Sequence, residues 1–414
     1  MARRARGFGV KLETPAGAHL TYCTNIHPGE SWDEVSETLR THVVDVKRRV
    51  RADGPFGVGL RLSALAATEL TTVPGALEAA RSELDAAGLY VFTLNGFPYG
   101  AFHGTRVKES VYRPDWLEDD RISYTHSLAR VLCALLPEGA SGSISTVPGC
   151  FAARAEPEAP RAIASALALV AAELVRIERE TGKTIALALE PEPACLLETT
   201  DDALAFFERE LWSREMLSAF AERIGTDASR AELALRRHLG ICLDTCHASV
   251  EFERPLMALQ KLRSAGMAVP KIQLSAGLRL LPATAQALAE LRAFDDGVYF
   301  HQTVVRTEDE TASPSRRLRR FVDLPEAFAS ALELGEKAEW RVHCHVPVFH
   351  ATLGAFSSTQ DDLRELLVHG GELASHLEVE TYTFGVLPAA YRERPVAEAI
   401  ATELEWVQTT LASR

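Results

Sequence analysis

Leu239-Gly-Ile-Cys-Leu-Asp-Thr-Cys-His247 is the stretch from which the rest of the chain is read. With a period of two, Ile241, Leu243 and Thr245 share one face, and Cys242, Asp244 and Cys246 the other. A short buried strand that ends in an acid, with His247 just beyond it, fits the plan of a (β/α)8 TIM barrel. In that fold the chemistry gathers at the carboxyl ends of the strands. The plainer alternative is that Asp244 only caps the following helix.

Outward from this strand, extended and helical patterns alternate. His19–His27, Phe56–Ser63, Tyr90–Phe97, Ser141–Val147 and Thr184–Glu190 precede it, and Lys271–Ala276 and His376–Phe384 follow as the seventh and eighth strands. Ser31, with Glu34 three residues on, marks the start of the first helix. Helices are expected after the later strands near 73–87, 115–136, 160–181, 255–266, 282–292, 360–374 and 390–412. Each strand has a bulky face, such as Ile185, Leu187 and Leu189, and a small or polar one. The bulky faces should meet the helices. The other faces should turn inward and place Asn25, Arg61, Asn95, Ser145, Glu190, Asp244, Gln273 and Glu380 near the carboxyl ends. Residues 294–350 break the alternation and read as an elaboration of the loop after strand seven. Residues 1–17 read as a loose lead-in. No linker or repeat divides the chain, so 1–414 is taken as a single TIM-barrel domain.

The formal net charge of −13 over 414 residues disfavours non-specific binding to nucleic acid or anionic lipid. No apolar run is long enough to span a bilayer, and the basic first residues are not followed by an apolar signal region. The seven cysteines, odd in number and mostly in strands, fit reduced thiols in a cytoplasmic protein. No strand is followed by a glycine-rich phosphate loop.

In Leu189-Glu-Pro-Glu-Pro193, proline ends the ladder and leaves Glu190 at the rim. Glu378 and Glu380 lie opposite Leu377 and Val379 on the last strand. Inward carboxylates are costly unless paired or bound to metal. A divalent cation held by Glu190, Asp244 and Glu380 accounts for all three at once; ion pairs with an arginine such as Arg61 are the alternative. In Arg341-Val-His-Cys-His345, two imidazoles share a face, where they bind a metal, line a pocket or fill a core. His103 and His301 read as loop histidines or substrate contacts.

Leu189-Glu-Pro191, Leu243-Asp-Thr-Cys-His247 and the glutamate ending the last strand resemble the xylose isomerase-like TIM-barrel superfamily. That group includes sugar isomerases, ketose 3-epimerases and phosphodiesterases of the endonuclease IV type. More closely, His19-Leu-Thr-Tyr-Cys-Thr-Asn-Ile-His-Pro-Gly-Glu-Ser-Trp32 is similar to the metabolite traffic protein EboE family. So are Asn95-Gly-Phe-Pro-Tyr-Gly100, Lys271-Ile-Gln-Leu-Ser275 and Val379-Glu-Thr-Tyr382. The resemblance implies a role in making or moving a secondary-metabolite precursor, alongside other products of one gene cluster.

By position, the resemblance makes Glu190, Asp244 and Glu380 metal ligands, with Gln273 as the fourth where a histidine usually stands, or His343 or His345 folding in instead. It implies a divalent ion (Mn, Mg or Zn) and a small sugar or cyclitol substrate. Glu190 and Glu380 would then transfer the proton, and His247, Arg61, Asn95, His103, His343 and His345 would contact the substrate. A non-catalytic carrier on the same barrel and a multi-zinc phosphodiesterase are the competing readings.

Overall fold

The computed structural model describes residues 18–50, 54–104, 106–307 and 317–413. Seven strands come first: β1 (His19–Tyr22), β2 (Phe56–Arg61), β3 (Leu89–Asn95), β4 (Gly142–Thr146), β5 (Ile185–Leu189), β6 (Leu239–Asp244) and β7 (Lys271–Leu274). Six more form a separate antiparallel sheet: β8 (Ala276–Leu280), β9 (Thr303–Arg306), β10 (Leu318–Phe321), β11 (Glu339–Val346), β12 (Thr352–Leu353) and β13 (Phe356–Ser358). The last, β14 (His376–Val379), returns to the first sheet, whose order is β1-β14-β7-β6-β5-β4-β3-β2 with every pair parallel.

Side chains help to close the ring between β1 and β2. A single parallel bridge joins Cys23 and Gly59. Beside it, Thr21 Oγ1 donates to the Gly57 carbonyl at 2.7 Å and accepts from Gly59 N at 3.2 Å, and Arg61 N donates to Thr24 Oγ1 at 2.8 Å. These hydroxyls occupy the place of ladder bonds that the backbone does not make, as buried peptide groups require. The result is the (β/α)8 barrel expected from the strand pattern.

Parallel strands buried on both faces need apolar side chains toward the helices. Ile185, Leu187, Leu189, Ile241 and Ile272 supply them and are buried. The barrel interior is polar. Lys271 Nζ lies 2.7 Å from Glu378 Oε1 with both side chains fully buried, and donates to Ser145 Oγ at 3.2 Å. Burial alone would lower the Lys271 ammonium, but Glu378 beside it holds it above its ordinary value. Gly59 makes room for this pair, because a Cβ there would fall 1.7 Å from Glu378 Oε2. Toward the amino ends of the strands, His19 stacks on Phe92 at 4.8 Å, and Ser143 Oγ bonds His376 Nδ1 at 2.7 Å.

Ser31 and Glu34 form the expected capping box before the helix that begins at Trp32. The insertion after strand seven runs from Ala276 to Ser358, beyond the expected bounds of 294–350 at both ends. No turn residue separates Leu274 from Ala276, so two strands read as one in the sequence. The helix at Ala285–Leu291 lies between β8 and β9 and belongs to the insertion. The seventh barrel helix is Gln360–His369, which packs between Pro255–Ser264 and Val396–Ala412. The expected lead-in at 1–17 lies outside the described residues. Among those described, no helix is long and apolar enough to cross a membrane, and all seven cysteines are free.

Candidate functional site

The carboxyl ends of the barrel strands open into a cavity of about 670 Å³, open solvent included. Asn25, Asn95, Glu190 and Glu380 line its floor from the strand ends. Tyr299, Gln302 and His343 reach it from the insertion.

Glu190, Asp244 and Glu380, which follow or end β5, β6 and β14, each offer an oxygen, and the three atoms lie within 4.8 Å of one another. The three acids expected to converge therefore do so. Burial pushes the Glu190 carboxyl well up, helped by the charges of Glu380 and Asp244. Burial, Asp244 and Glu378 push Glu380 the same way. Glu380 Oε1 is also the acceptor of two amides, Asn25 Nδ2 at 2.7 Å and Asn95 Nδ2 at 3.1 Å. Donors of this kind favour the ionised carboxylate. Two acids so close titrate as a pair, and the amides on Glu380 partly oppose the upward push of burial there.

Asp244 caps the following helix, as the plainer reading of the sequence has it, and keeps a second oxygen free of that cap. Its Oδ1 caps the helix Thr245–Val250, accepting from His247 N at 2.9 Å and from Ser275 Oγ at 2.7 Å. Its Oδ2 is buried with no hydrogen-bond partner. Burial would raise this carboxyl, but the charges that His247 and His345 carry at the acidic pH where Asp244 titrates, together with the Ser275 hydroxyl, hold it below the usual carboxylate range. Gln273 sits in register with Asp244 on β7, is fully buried, and has neither amide atom bonded. Unsatisfied buried atoms of this kind point to a missing partner. Three converging acid oxygens, with an unpartnered oxygen on Asp244 beside them, fit a divalent cation.

Behind the acids stand three histidines. His247 follows β6; His343 and His345 come from β11 in the insertion. Between Val342 and Val346, four steps along β11 oppose two along β8, and this bulge sits where the two imidazoles turn toward the barrel. Burial pushes His247 down to about 4, His343 well below its ordinary value, and His345 down as well. All three are therefore neutral near pH 7. His247 and His343 line the cavity; His345 lies behind them, fully buried.

Other expected contacts fall elsewhere. Arg61 does not line the cavity. Its guanidinium pairs with Glu30 at 2.8 Å and donates to the carbonyls of Gly29, Pro98 and Gly100. It pins two loops instead, and it packs on Phe102 at 5.1 Å. His103 packs at a tilt against the same Phe102 ring, 4.0 Å between centroids, and is also absent from the cavity wall. His301 is buried 3.5 Å from Asp296.

The sequence reading missed a polar chain on the insertion side. Tyr112 donates to Glu192 Oε1 at 2.6 Å, and Gln302 Nε2 reaches Tyr112 Oη at 2.7 Å and the Pro193 carbonyl at 3.2 Å. Burial pushes Glu192 up to about 8 against these donors. Glu192 carried a signal in the doubled Glu-Pro; Tyr112 and Gln302 arrive from loops without a motif. Phe102, Tyr299 and Tyr382 give the cavity an aromatic wall.

No family model matches the chain, and no curated protein matches it. Among solved structures the chain is similar to an L-ribulose 3-epimerase, at 12% identity over 96% of this chain and 95% of that one, with a TM-score of 0.47. It is similar to 3-keto-D-glucoside 4-epimerase YcjR from E. coli, at 13% identity, 95% and 99% coverage and a TM-score of 0.45. It is also similar to IolI protein with a bound zinc atom, at 13% identity, 95% and 98% coverage and a TM-score of 0.42. The fold assignment rests on the strand order and closure of the sheet themselves.

Proposed function

We propose that the chain is a divalent-metal-dependent isomerase or epimerase acting on a sugar or cyclitol. The observation that supports this most directly is the meeting of Glu190, Asp244 and Glu380 oxygens within 4.8 Å at the mouth of the barrel. These three acids would hold the ion, with the Gln273 amide beside Asp244. An all-oxygen set suits Mn²⁺ or Mg²⁺ better than Zn²⁺. When bound, such an ion would polarise a carbonyl oxygen and acidify the neighbouring C–H.

The residues divide the proton transfer. Glu380, whose carboxylate form the Asn25 and Asn95 amides favour, would take the proton from the carbon next to the carbonyl onto a carboxylate oxygen. Glu190, the other acid of the pair, would return a proton to carbon. Asn25 Oδ1 is buried without a partner and is free to accept from a substrate hydroxyl. Phe102, Tyr299 and Tyr382 would pack against the C–H face of a ring and exclude water.

The test is exchange of substrate C–H for deuterium in D2O across a panel of ketoses, aldoses and cyclitols. Exchange in the wild type that is absent in Glu380→Gln supports the reading; no exchange with any member of the panel contradicts it. The histidine cluster favours a second reading, metal-assisted phosphodiester hydrolysis, which cleavage of abasic-site DNA would reveal. The EboE resemblance supports placing the chain in the supply or movement of a secondary-metabolite precursor. A pure carrier would bind ligand equally in wild type and Glu190→Gln and turn over nothing.

A further inference from the structure

The three imidazoles are held in one tautomer by acceptors that leave no choice. His247 Nδ1 faces the Pro191 carbonyl at 3.0 Å, and His345 Nδ1 faces the Glu380 carbonyl at 2.9 Å. A carbonyl only accepts, so both Nδ1 atoms carry the proton. His343 Nδ1 lies 2.8 Å from Gln302 Oε1. The orientation of that amide is fixed because its nitrogen faces the Pro193 carbonyl at 3.2 Å. His343 Nδ1 is therefore a donor too.

All three Nε2 atoms are then bare lone pairs, and that of His343 faces the other two. His343 Nε2 is 3.1 Å from His247 Nε2 and 3.2 Å from His345 Nε2. No proton is available to join two acceptors at that distance. Asp244 Oδ2, the orphan oxygen, lies 3.9 Å from both His247 Nε2 and His345 Nε2. Zinc–nitrogen bonds of about 2.0–2.1 Å in a tetrahedron set neighbouring ligand atoms roughly 3.3 Å apart, close to the two spacings that His343 makes and shorter than the two that Asp244 makes. Each ligand ring already has the acceptor on its far nitrogen that metal-bound histidines need.

We propose that His247, His343, His345 and Asp244 Oδ2 form a second, nitrogen-rich metal site for zinc or a similar borderline divalent ion, next to the carboxylate site and sharing Asp244 with it. Two of its ligands come from the inserted sheet, so the ion ties the insertion to the barrel across β6. The site stands whether or not the isomerase reading does.

The test is zinc X-ray absorption on the wild-type chain, stripped with chelator and reloaded with zinc, alongside zinc content of His343→Ala, Gln302→Leu and Glu380→Gln. Imidazole multiple scattering around the zinc is expected in the wild type. His343→Ala should lose that zinc, and Gln302→Leu, which keeps every ligand, should bind it about 10–100-fold more weakly. Glu380→Gln should keep the imidazole-ligated zinc even if it loses an ion at the carboxylates, so the two sites fail separately. A wild-type spectrum with oxygen neighbours only, or no bound zinc, would overturn the proposal. So would a His343→Ala chain that stays folded by circular dichroism and retains the imidazole signal.

Discussion

Asn25, just beyond β1, donates its amide to Glu380 Oε1, just beyond β14, at 2.7 Å across the seam where the first and last barrel strands meet. The bond spans 355 residues of chain and favours the ionised form of the proposed base against the upward push of burial. Asn25→Ala removes one of its two amide donors. A bond to a charged group is worth about 1.5–3 kcal/mol, or roughly one to two pH units. The low-pH limb of the proton-exchange rate should move upward by about one pH unit or more, while the high-pH limb stays. A profile identical to the wild type would detach Asn25 from the titration of Glu380.

Glu190→Gln and Glu380→Gln keep the size of each side chain and remove its proton chemistry. Loss of a positioned acid or base lowers rates by about 10²–10⁴-fold. With Mn²⁺ supplied at saturation to offset the weakened metal site, exchange should fall by at least that factor in each variant, with substrate affinity, read by calorimetry under the same conditions, changed far less. Equal losses of rate and affinity would assign the glutamates to binding.

Lys271 and Glu378 form an ion pair in the barrel interior with no exposed surface. Lys271→Met leaves a buried carboxylate without its cation and should cost about 3–5 kcal/mol in urea unfolding. Lys271→Met with Glu378→Leu should recover most of that loss, because an apolar pair of similar volume is often no less stable. A double variant as unstable as the single one would mean that packing, rather than charge, sets the cost.

Glu403, on the helix Val396–Ala412, is buried and accepts from Thr381 Oγ1 at 2.6 Å and Val348 N at 3.1 Å. Burial pushes its carboxyl from 4.5 up to about 7 despite these donors. The folded chain thus holds a proton that the unfolded chain releases near pH 4.5. The resulting stabilisation is complete below that pH and is lost as the pH rises toward about 7; it amounts to roughly 3 kcal/mol. Glu403→Gln should be the less pH-sensitive chain between pH 4.5 and 7 in denaturant titrations. An unchanged slope would show that Glu403 ionises without cost.

Much of this was legible from local pattern. Strands such as Ile185–Leu189 alternate small and bulky residues, and a proline or a helix cap marks where each ends, so Glu190 and Asp244 could be placed at the rim from sequence alone. Glu380 followed in the same way from Leu377 and Val379. What was not legible depends on pairing between distant segments. β7 and β8 are separated only by Ser275, so the insertion seemed to begin later than it does. Arg61 sits at a strand end, as a substrate ligand would, but Glu30 and three loop carbonyls take up its guanidinium. His343 and His345 were visible as a pair, yet their meeting with His247 depends on a bulge in β11 opposite β8. Tyr112 and Gln302 lie in irregular segments where no periodicity marks them.

The central claim is that the acids at the mouth of the barrel jointly bind a divalent ion. Electron paramagnetic resonance of free Mn²⁺, titrated into the chelator-stripped chain, tests it most directly. The account predicts that the wild type removes the free-ion signal until its site fills, and that Glu190→Gln and Glu380→Gln, folded by circular dichroism, leave much more of it. A wild-type chain that leaves the free Mn²⁺ signal undiminished throughout would contradict it.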